Sequence, residues 1–184
     1  MDYTHHYESP LGGITLASDG ESLTGLWFDE QKVSADALEA QPVEKDLAVF
    51  EQADHWLVVY FSGREPGFTP PLRMKTTVFR KAVWEILLTI PYGHTMTYGE
   101  ISGIMAKQMG LSRMSAQAVG GAVGHNAISL IIPCHRVVGS DGNLTGYTGG
   151  IRRKVKLLQL EKADMTRLFV PRRGMTGIGS RYGG

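Results

Sequence analysis

The segment GREPGFTPPLR, residues 63–73, divides the 184-residue chain into two parts of different character. Its glycines and prolines disfavour both helix and strand, which is typical of a linker. Residues 1–72 carry three Lys or Arg against thirteen Asp or Glu, a net charge of −10, whereas residues 73–184 carry sixteen against five, a net charge of +11. We therefore expect two domains, at 1–72 and 73–170, and a disordered tail at 171–184, which lacks apolar periodicity.

The first part has the pattern of a small sheet with one helix. Residues 3–28 alternate apolar and polar side chains around the turn signals Pro-Leu-Gly-Gly and Asp-Gly, and so predict strands. From Lys45 to Phe61 the apolar residues recur at helical spacing, and Ser62-Gly63 ends the predicted helix.

The second part is predicted to be mostly helical. Its helical patterns lie at residues 77–90, 98–109, 114–126 and 151–162. Thr97 and Glu100 form a capping-box pattern at the start of the second of these helices. Strands followed by helices give a fold class of α/β in the broad sense, with an α+β arrangement.

The helix at 114–126, MSAQAVGGAVGHN, has almost no side-chain bulk. Glycine destabilises a helix by up to about 1 kcal/mol per residue, so these glycines predict a close approach to another molecule or element. With the helix before it, inside the basic half of the chain, the pattern fits a helix-turn-helix that binds DNA. Tight helix–helix packing is the alternative, and attraction between the two oppositely charged halves is an alternative reading of the charge.

Cys134 is the only cysteine of the chain. One cysteine cannot form an internal disulfide, and with no export signal at the N-terminus it indicates the cytoplasm. The apolar run ISLII before it predicts a short strand, which Pro133 ends. A lone cysteine is most often an inert core residue.

His135 and Arg136 argue against an inert thiol, because a nearby base and a nearby cation both favour the reactive thiolate. Consecutive strand residues face opposite sides, so His135 can reach Cys134 only if the backbone turns there or a water bridges them. The residues thus predict a reactive cysteine in a basic helix-turn-helix domain and leave the reaction open.

Several classes of site are not expected. No window approaches eighteen consecutive apolar residues, so no membrane span is predicted. A single cysteine excludes zinc sites built from several cysteines, and the neighbours His5 and His6 lack a partner cluster. We expect no metal and no cofactor.

The sequence PCHRV at 133–137, with AVGGAVGHN upstream and TGYTGG downstream, resembles the O6-alkylguanine-DNA alkyltransferases. The resemblance covers about residues 73–163 and is highly specific where the core and both flanks occur together. It implies a small ribonuclease-H-like N-terminal domain and a DNA-binding C-terminal domain. It also implies a monomer that binds double-stranded DNA through the minor groove and flips out O6-alkylguanine (and O4-alkylthymine). The alkyl group then passes irreversibly to the protein's own cysteine, once per chain.

By position, the resemblance implies a role for each catalytic residue. Cys134 would accept the alkyl group, and His135 would take the thiol proton through a water. Glu161 would orient His135 and balance its charge. Asn126 would brace the turn that holds the thiol.

The resemblance also implies contacts with the flipped base and with DNA. Tyr98 would help rotate the nucleotide phosphate and donate toward the base. Tyr147 and the Thr148 amide would hold the guanine and its O6, while the carbonyls of Cys134 and Val137 would read the amine. The other positions expected to contact substrate or DNA are Gln117, Ala118, Gly120 and Arg136.

Two departures from the family pattern concern DNA rather than the thiol. Gln117 stands where the family usually has an Arg that replaces the flipped base, which predicts weaker DNA binding. Ala127 stands where a Pro commonly follows the bracing Asn. Two alternative functions stay open, namely a non-catalytic helix-turn-helix binder of alkylated DNA and a cysteine hydrolase. The basic residues of 152–156 are read either as a solvated face or as phosphate contacts.

Overall fold

The computed structural model describes residues 2–31, 38, 41–171 and 179–181. The described residues fall into two units, one from 1–76 together with 127–131, and the other from 77–126 together with 132–184. The division at residue 76 lies close to the boundary expected after residue 72. That the two units are independent domains stays a prediction.

The first unit is a four-stranded sheet with one helix. Its strands are β1 (Tyr3–Ser9), β2 (Gly12–Ser18), β3 (Leu23–Phe28) and β4 (Val43–Glu44). The order is β3-β2-β1-β4, with β4 parallel to β1 and the other pairs antiparallel. Helix α1 (Ala48–Phe61) packs on β1 and buries the apolar face that its spacing predicted. The strands predicted within residues 3–28 are confirmed.

The second unit is mostly helical. Its helices are α2 (Val78–Leu87), α3 (Tyr98–Gln108), α4 (Ala116–Gly124) and α5 (Ile151–Leu160). Its strands are β5 (Met96–Thr97), β6 (Val137–Val138), β7 (Phe169–Pro171) and β8 (Gly179–Arg181). Strand β5 pairs in parallel with β6, and β7 pairs antiparallel with β8. The predicted α+β class is confirmed.

Local sequence signals fix where α3 and α4 begin. The capping box is present, because the Thr97 hydroxyl accepts from the Glu100 amide at 3.0 Å and the Glu100 carboxylate accepts from the Thr97 amide at 3.2 Å. The Ser115 hydroxyl caps α4 by accepting from the amide of Ala118. A hydrogen bond joins α4 to α2, because the indole N–H of Trp84 in α2 donates to the carbonyl of Ala122 at 2.8 Å.

The strand predicted at ISLII is wrong. Ile128 makes one isolated bridge, to Leu26, and residues 129–131 form a turn in which Leu130 has φ of 68°. The Ser129 amide donates to the carbonyl of Leu26, which places residues 127–131 in the first unit. Burial of the apolar side chains, and not strand pairing, accounts for this run, since periodicity alone does not distinguish the two.

The tail also differs from its prediction. Residues 179–181 pair with 169–171, so a two-stranded ribbon lies where a disordered tail from 171 was expected. The rest of that predicted tail, 172–178 and 182–184, lies outside the described residues.

The described residues contain neither a membrane-spanning helix nor a cluster of metal-binding side chains. None of the helices in this part of the chain has the length and apolarity that a membrane span requires. Nor do three or more His, Cys, Asp or Glu side chains come together there in a group that could hold a metal ion.

Candidate active site

Cys134 lies in a single 3₁₀ turn, Cys134–Arg136, between Pro133 and β6. The amide of Arg136 donates to the carbonyl of Pro133 at 3.0 Å, and the amide of Val137 donates to the carbonyl of Cys134. The backbone therefore turns at the thiol, which is the condition under which Cys134 and His135 can serve one site.

Asn126, just beyond the end of α4, contacts this turn. Its side-chain amide donates to the carbonyl of Ile132 at 2.8 Å, and its side chain also hydrogen-bonds Cys134. Asn126 is buried, so these bonds replace water that would otherwise satisfy the groups. The side chain of Asn126 thus contacts both Ile132 and Cys134, and its role as a brace stays a prediction.

The thiol of Cys134 is buried, and burial raises its pKa. The hydrogen bond from Asn126, the charge of Lys154 and the amides of Cys134 and His135 act in the opposite direction without cancelling that effect. In the resting protein the group is therefore a neutral thiol, and forming the thiolate requires a base.

His135 and Glu161 form a fully enclosed pair, with Nε2 of His135 2.5 Å from Oε2 of Glu161. An ionised carboxylate only accepts hydrogen bonds, so Nε2 carries the proton and Nδ1 is the basic nitrogen. Burial lowers the pKa of His135, Glu161 opposes this, and the charges of Arg136 and Lys154 add to the lowering. His135 is thus neutral at pH 7 and able to accept a proton.

The Glu161 carboxylate, directly after α5, receives three donors. Oε2 accepts from His135, while Oε1 accepts from Nε of Arg136 at 2.7 Å and from the amide of Gly93 at 3.0 Å. Burial raises the pKa of Glu161, but the hydrogen bonds and charges of His135 and Arg136 outweigh it and hold the pKa well below its ordinary value. Glu161 is therefore ionised, which stabilises a proton arriving on His135.

Arg136 was expected to contact substrate or DNA, but its guanidinium points into the protein. Besides Glu161, it donates to the carbonyl of Ile90 at 2.8 Å and lies 5.7 Å from the ring centroid of Tyr92. The residue is 9% exposed. The structure joins Arg136 to the buried carboxylate of Glu161 and not to the surface.

Lys154 was expected either on a solvated face or in contact with phosphate, and both readings are wrong, because the residue lies buried beside the thiol turn. The residue has no exposed surface, and its ammonium donates to the carbonyl of Val137 at 2.5 Å. Burial lowers the pKa of Lys154 to about 8, and the charge of Cys134 opposes this. Helical spacing could have found it, because Lys154 lies on the same face of α5 as Ile151 and Leu158.

Two tyrosines lie against the glycines of the TGYTGG loop. A Cβ at Gly146 would lie 2.9 Å from the Tyr98 hydroxyl, and a Cβ at Gly149 would lie 2.6 Å from the Tyr147 ring. The rings of Tyr147 and His135 meet edge to face with centroids 6.4 Å apart. Burial raises the pKa of both tyrosines, and a charge on Cys134 raises both further. Both phenols therefore keep their protons and can donate.

The remaining predicted residues lie outside this buried cluster. Gln117 and Ala118 are exposed on α4, Gly120 is half-buried, and Thr148 is exposed in the loop. A Cβ at Gly120 would be 3.9 Å from the ring of Tyr98, so the exposed face of α4 adjoins one tyrosine of the site.

Comparison with known proteins assigns both parts of the chain to one family. The family model for the 6-O-methylguanine DNA methyltransferase ribonuclease-like domain matches residues 3–74, and the model for the DNA binding domain matches residues 78–163.

Curated relatives of this chain carry the name methylated-DNA–protein-cysteine methyltransferase, including those from Mycobacterium tuberculosis and Haemophilus influenzae. The Mycobacterium tuberculosis protein is 46% identical over 168 residues, covering 88% of this chain and 97% of the relative. The Haemophilus influenzae protein is 40% identical over 162 residues, covering 87% and 86%. The crystal structure of M. tuberculosis OGT in complex with DNA superposes with a TM-score of 0.74 at 44% identity, covering 87% of this chain and 92% of that one.

A buried thiol, a neutral imidazole and an ionised carboxylate define a protein whose chemistry takes place at one cysteine. The chain belongs to the 6-O-methylguanine DNA methyltransferase family, and its activity is that of a methylated-DNA–protein-cysteine methyltransferase. The predicted family, fold class and direct repair by alkyl transfer to a cysteine are confirmed. The roles of the individual site residues stay predictions.

Proposed function

We propose that Cys134 is the acceptor that removes the alkyl group from O6-alkylguanine in double-stranded DNA, once per chain. One observation carries this proposal. The only cysteine of the chain lies in a buried turn next to His135, whose Nε2–H is fixed by the ionised Glu161.

In the proposed reaction, Nδ1 of His135 takes the thiol proton through a water molecule, and Lys154 and Asn126 stabilise the thiolate. The sulfur then attacks the alkyl carbon, so the S–C bond forms as the C–O6 bond breaks and its electron pair stays on O6. The guanine regains a proton, which Tyr98 donates and His135 replaces. The product is a thioether with no leaving group, so each chain reacts once.

The base would be held by the groups around Cys134. Tyr98 and Tyr147 are protonated donors, and in the described part of the chain no group hydrogen-bonds the buried Tyr147 hydroxyl. The carbonyl of Cys134 accepts from the amide of Val137, and the carbonyl of Val137 accepts from Lys154. A carbonyl oxygen has two lone pairs, so both carbonyls are proposed to bind the guanine amine as well. With the Thr148 amide on O6, these groups fit a flipped O6-alkylguanine, and O4-alkylthymine is proposed as a second substrate.

DNA would be bound by α3 and α4 as a helix-turn-helix, with α4 in the minor groove. The exposed face of α4 is made of small residues around Gln117, which lets the backbone approach a duplex closely. Flipping the base costs a few kcal/mol, and this cost is smaller for a weakened alkylguanine pair. Gln117 would fill the space that the flipped base leaves in the stack. Because Gln lacks charge, we expect weaker DNA binding than an Arg would give. We further propose that the chain acts as a monomer in the cytoplasm.

Substitution of Cys134 by Ala tests the assignment. We expect the variant to bind a duplex with one O6-methylguanine as tightly as the wild type, measured by fluorescence anisotropy, and to leave the methyl group on the DNA. A wild type that binds but never transfers would support the non-catalytic binder. A wild type that releases methyl groups over many turnovers would support the hydrolase.

A further inference from the structure

Arg136 lies beside the thiol turn, yet its guanidinium is directed away from the thiol. Its Nε donates to Oε1 of Glu161 at 2.7 Å, and its terminal nitrogen donates to the carbonyl of Ile90, just after α2, at 2.8 Å. The Tyr92 ring lies 5.7 Å from the guanidinium. We propose that Arg136 is a positioning residue that fixes the Glu161 carboxylate toward His135 and makes no contact with DNA. This inference rests on the proposed function only in taking His135 as the base.

The geometry assigns a separate task to each oxygen of Glu161. Oε2 faces His135, while Oε1 is held from two directions by Arg136 and the Gly93 amide. A carboxylate rotates readily about its last side-chain bond. Two donors on Oε1 stop that rotation, and so they fix the direction from which Oε2 meets the imidazole. Arg136 is itself held in place, because it also donates to the carbonyl of Ile90, just after α2.

The charges around His135 give Arg136 a second effect. The titratable groups that face the imidazole are Glu161 and Lys154 of the α5 region, Arg136 and Cys134 of its own turn, and Tyr147 of the loop. Glu161 favours the imidazolium, whereas Arg136 and Lys154 disfavour it. Removing the Arg136 charge should therefore raise the pKa of His135 and leave a smaller fraction of neutral base at pH 7.

A lysine at position 136 would separate these two effects. Its ammonium would keep the charge, but it has one nitrogen on a flexible stem and cannot donate to Glu161 and Ile90 in the fixed geometry of a guanidinium. We expect Arg136→Lys to keep the pKa of His135 near its wild-type value while still slowing proton removal from the thiol.

The test uses the fact that Cys134 is the only thiol in the chain. Iodoacetamide labelling at a series of pH values, without DNA, reports thiolate formation at Cys134 alone. A ¹⁵N-histidine NMR titration reports the pKa of His135, assigned with a His135→Gln variant. Anisotropy with an O6-methylguanine duplex, measured in the Cys134→Ala background, reports binding.

We expect Arg136→Gln to slow labelling at pH 7 by about tenfold, the lower end of the loss seen when a group that orients a metal-binding histidine is removed. We also expect it to raise the pKa of His135 and to leave duplex affinity unchanged. The matched control is Arg167→Gln, an exposed arginine of the same unit, which should behave as the wild type. If Arg136→Gln does not fold, Arg136→Lys carries the test through its labelling rate and titration.

Unchanged labelling and an unchanged His135 titration in a folded variant would overturn the proposal. So would a loss of duplex affinity at unchanged labelling rate, which would make Arg136 a DNA contact. Failure of the proposed function would look different, because the wild type would then not take a methyl group from DNA although the labelling and NMR results still held.

Discussion

The buried ammonium of Lys154 donates a hydrogen bond to the backbone carbonyl of Val137, two residues after His135. This contact ties α5 to β6 and places a positive charge close enough to Cys134 to lower the pKa of its thiol. In the proposed mechanism the cation and the imidazole act on the same group, the cation by favouring the thiolate and the imidazole by accepting its proton.

Replacing Lys154 by Met should make the thiol less acidic, because the cation that favours the thiolate is removed. We expect the pH profile of iodoacetamide labelling at Cys134 to move to higher pH, with slower labelling at pH 7. The control is Lys81→Met, an exposed lysine of α2, whose profile should match that of the wild type. An identical profile for Lys154→Met would show that the buried ammonium has no influence on the thiol.

Replacing Asn126 by Ala should destabilise the protein by about 1 kcal/mol, because the buried carbonyl of Ile132 loses one of its two donors and keeps only the amide of Cys134. Guanidinium chloride unfolding measures the change. The same variant should label more slowly at Cys134, since the hydrogen bond from Asn126 lowers the pKa of the thiol. Gln159→Ala, at an exposed position of α5, is the control and should change neither quantity. Wild-type stability in Asn126→Ala would contradict the bracing role.

The free energy of unfolding should fall as the pH is lowered through 6.5. The pKa of His135 is lowered below the ordinary 6.5 by burial, so in this window the unfolded chain binds a proton that the folded chain does not. A second loss should follow below 4.5, because the pKa of Glu161 is depressed in the folded state and its contribution is present only above the unfolded value.

A His135→Gln variant should lose the upper part of this pH dependence, as measured by unfolding at pH 7.5 and 5.5. His6 provides a control of opposite sign, since its hydrogen bond to Glu8 raises its pKa and its contribution is lost as the pH rises. A wild type that is equally stable at both pH values, with His6→Gln behaving alike, would contradict a buried neutral imidazole.

Replacing Gly149 by Ala should impair methyl transfer while the fold is kept. The added Cβ would lie 2.6 Å from the ring of Tyr147, which must then move away from its place beside His135. The control is Gly103→Ala inside α3, where an added Cβ meets nothing within 4 Å. Single-turnover transfer should be slowed in Gly149→Ala, and Gly103→Ala should raise stability by up to about 1 kcal/mol. Equal transfer rates in Gly149→Ala and the wild type would contradict a role for the Tyr147 position.

Patterns within a few residues predicted much of this structure. The capping box at Thr97 and Glu100, the helical spacing of α1 and α2 and the alternation in residues 3–28 each identified the element that forms. These elements depend on contacts between residues that are neighbours in sequence. The sequence pattern of a single segment is therefore enough to predict each of them.

Contacts between distant segments were not accessible in this way. The run ISLII is apolar because it is buried in a turn, and a short apolar run has the same pattern in a strand. The inward direction of Arg136 depends on Ile90 and Glu161, and the burial of Lys154 depends on the carbonyl of Val137. These partners are far apart in the chain, so only the assembled fold reveals them.

Intact-mass analysis of the protein after mixing with a duplex that contains O6-methylguanine tests the central claim most directly. We predict that each chain gains the mass of one methyl group in place of one hydrogen, that peptide mapping locates it on Cys134, and that the Cys134→Ala variant gains nothing. An unchanged wild-type mass while the DNA loses its methyl group, or a methyl group on any residue other than Cys134, would contradict the account.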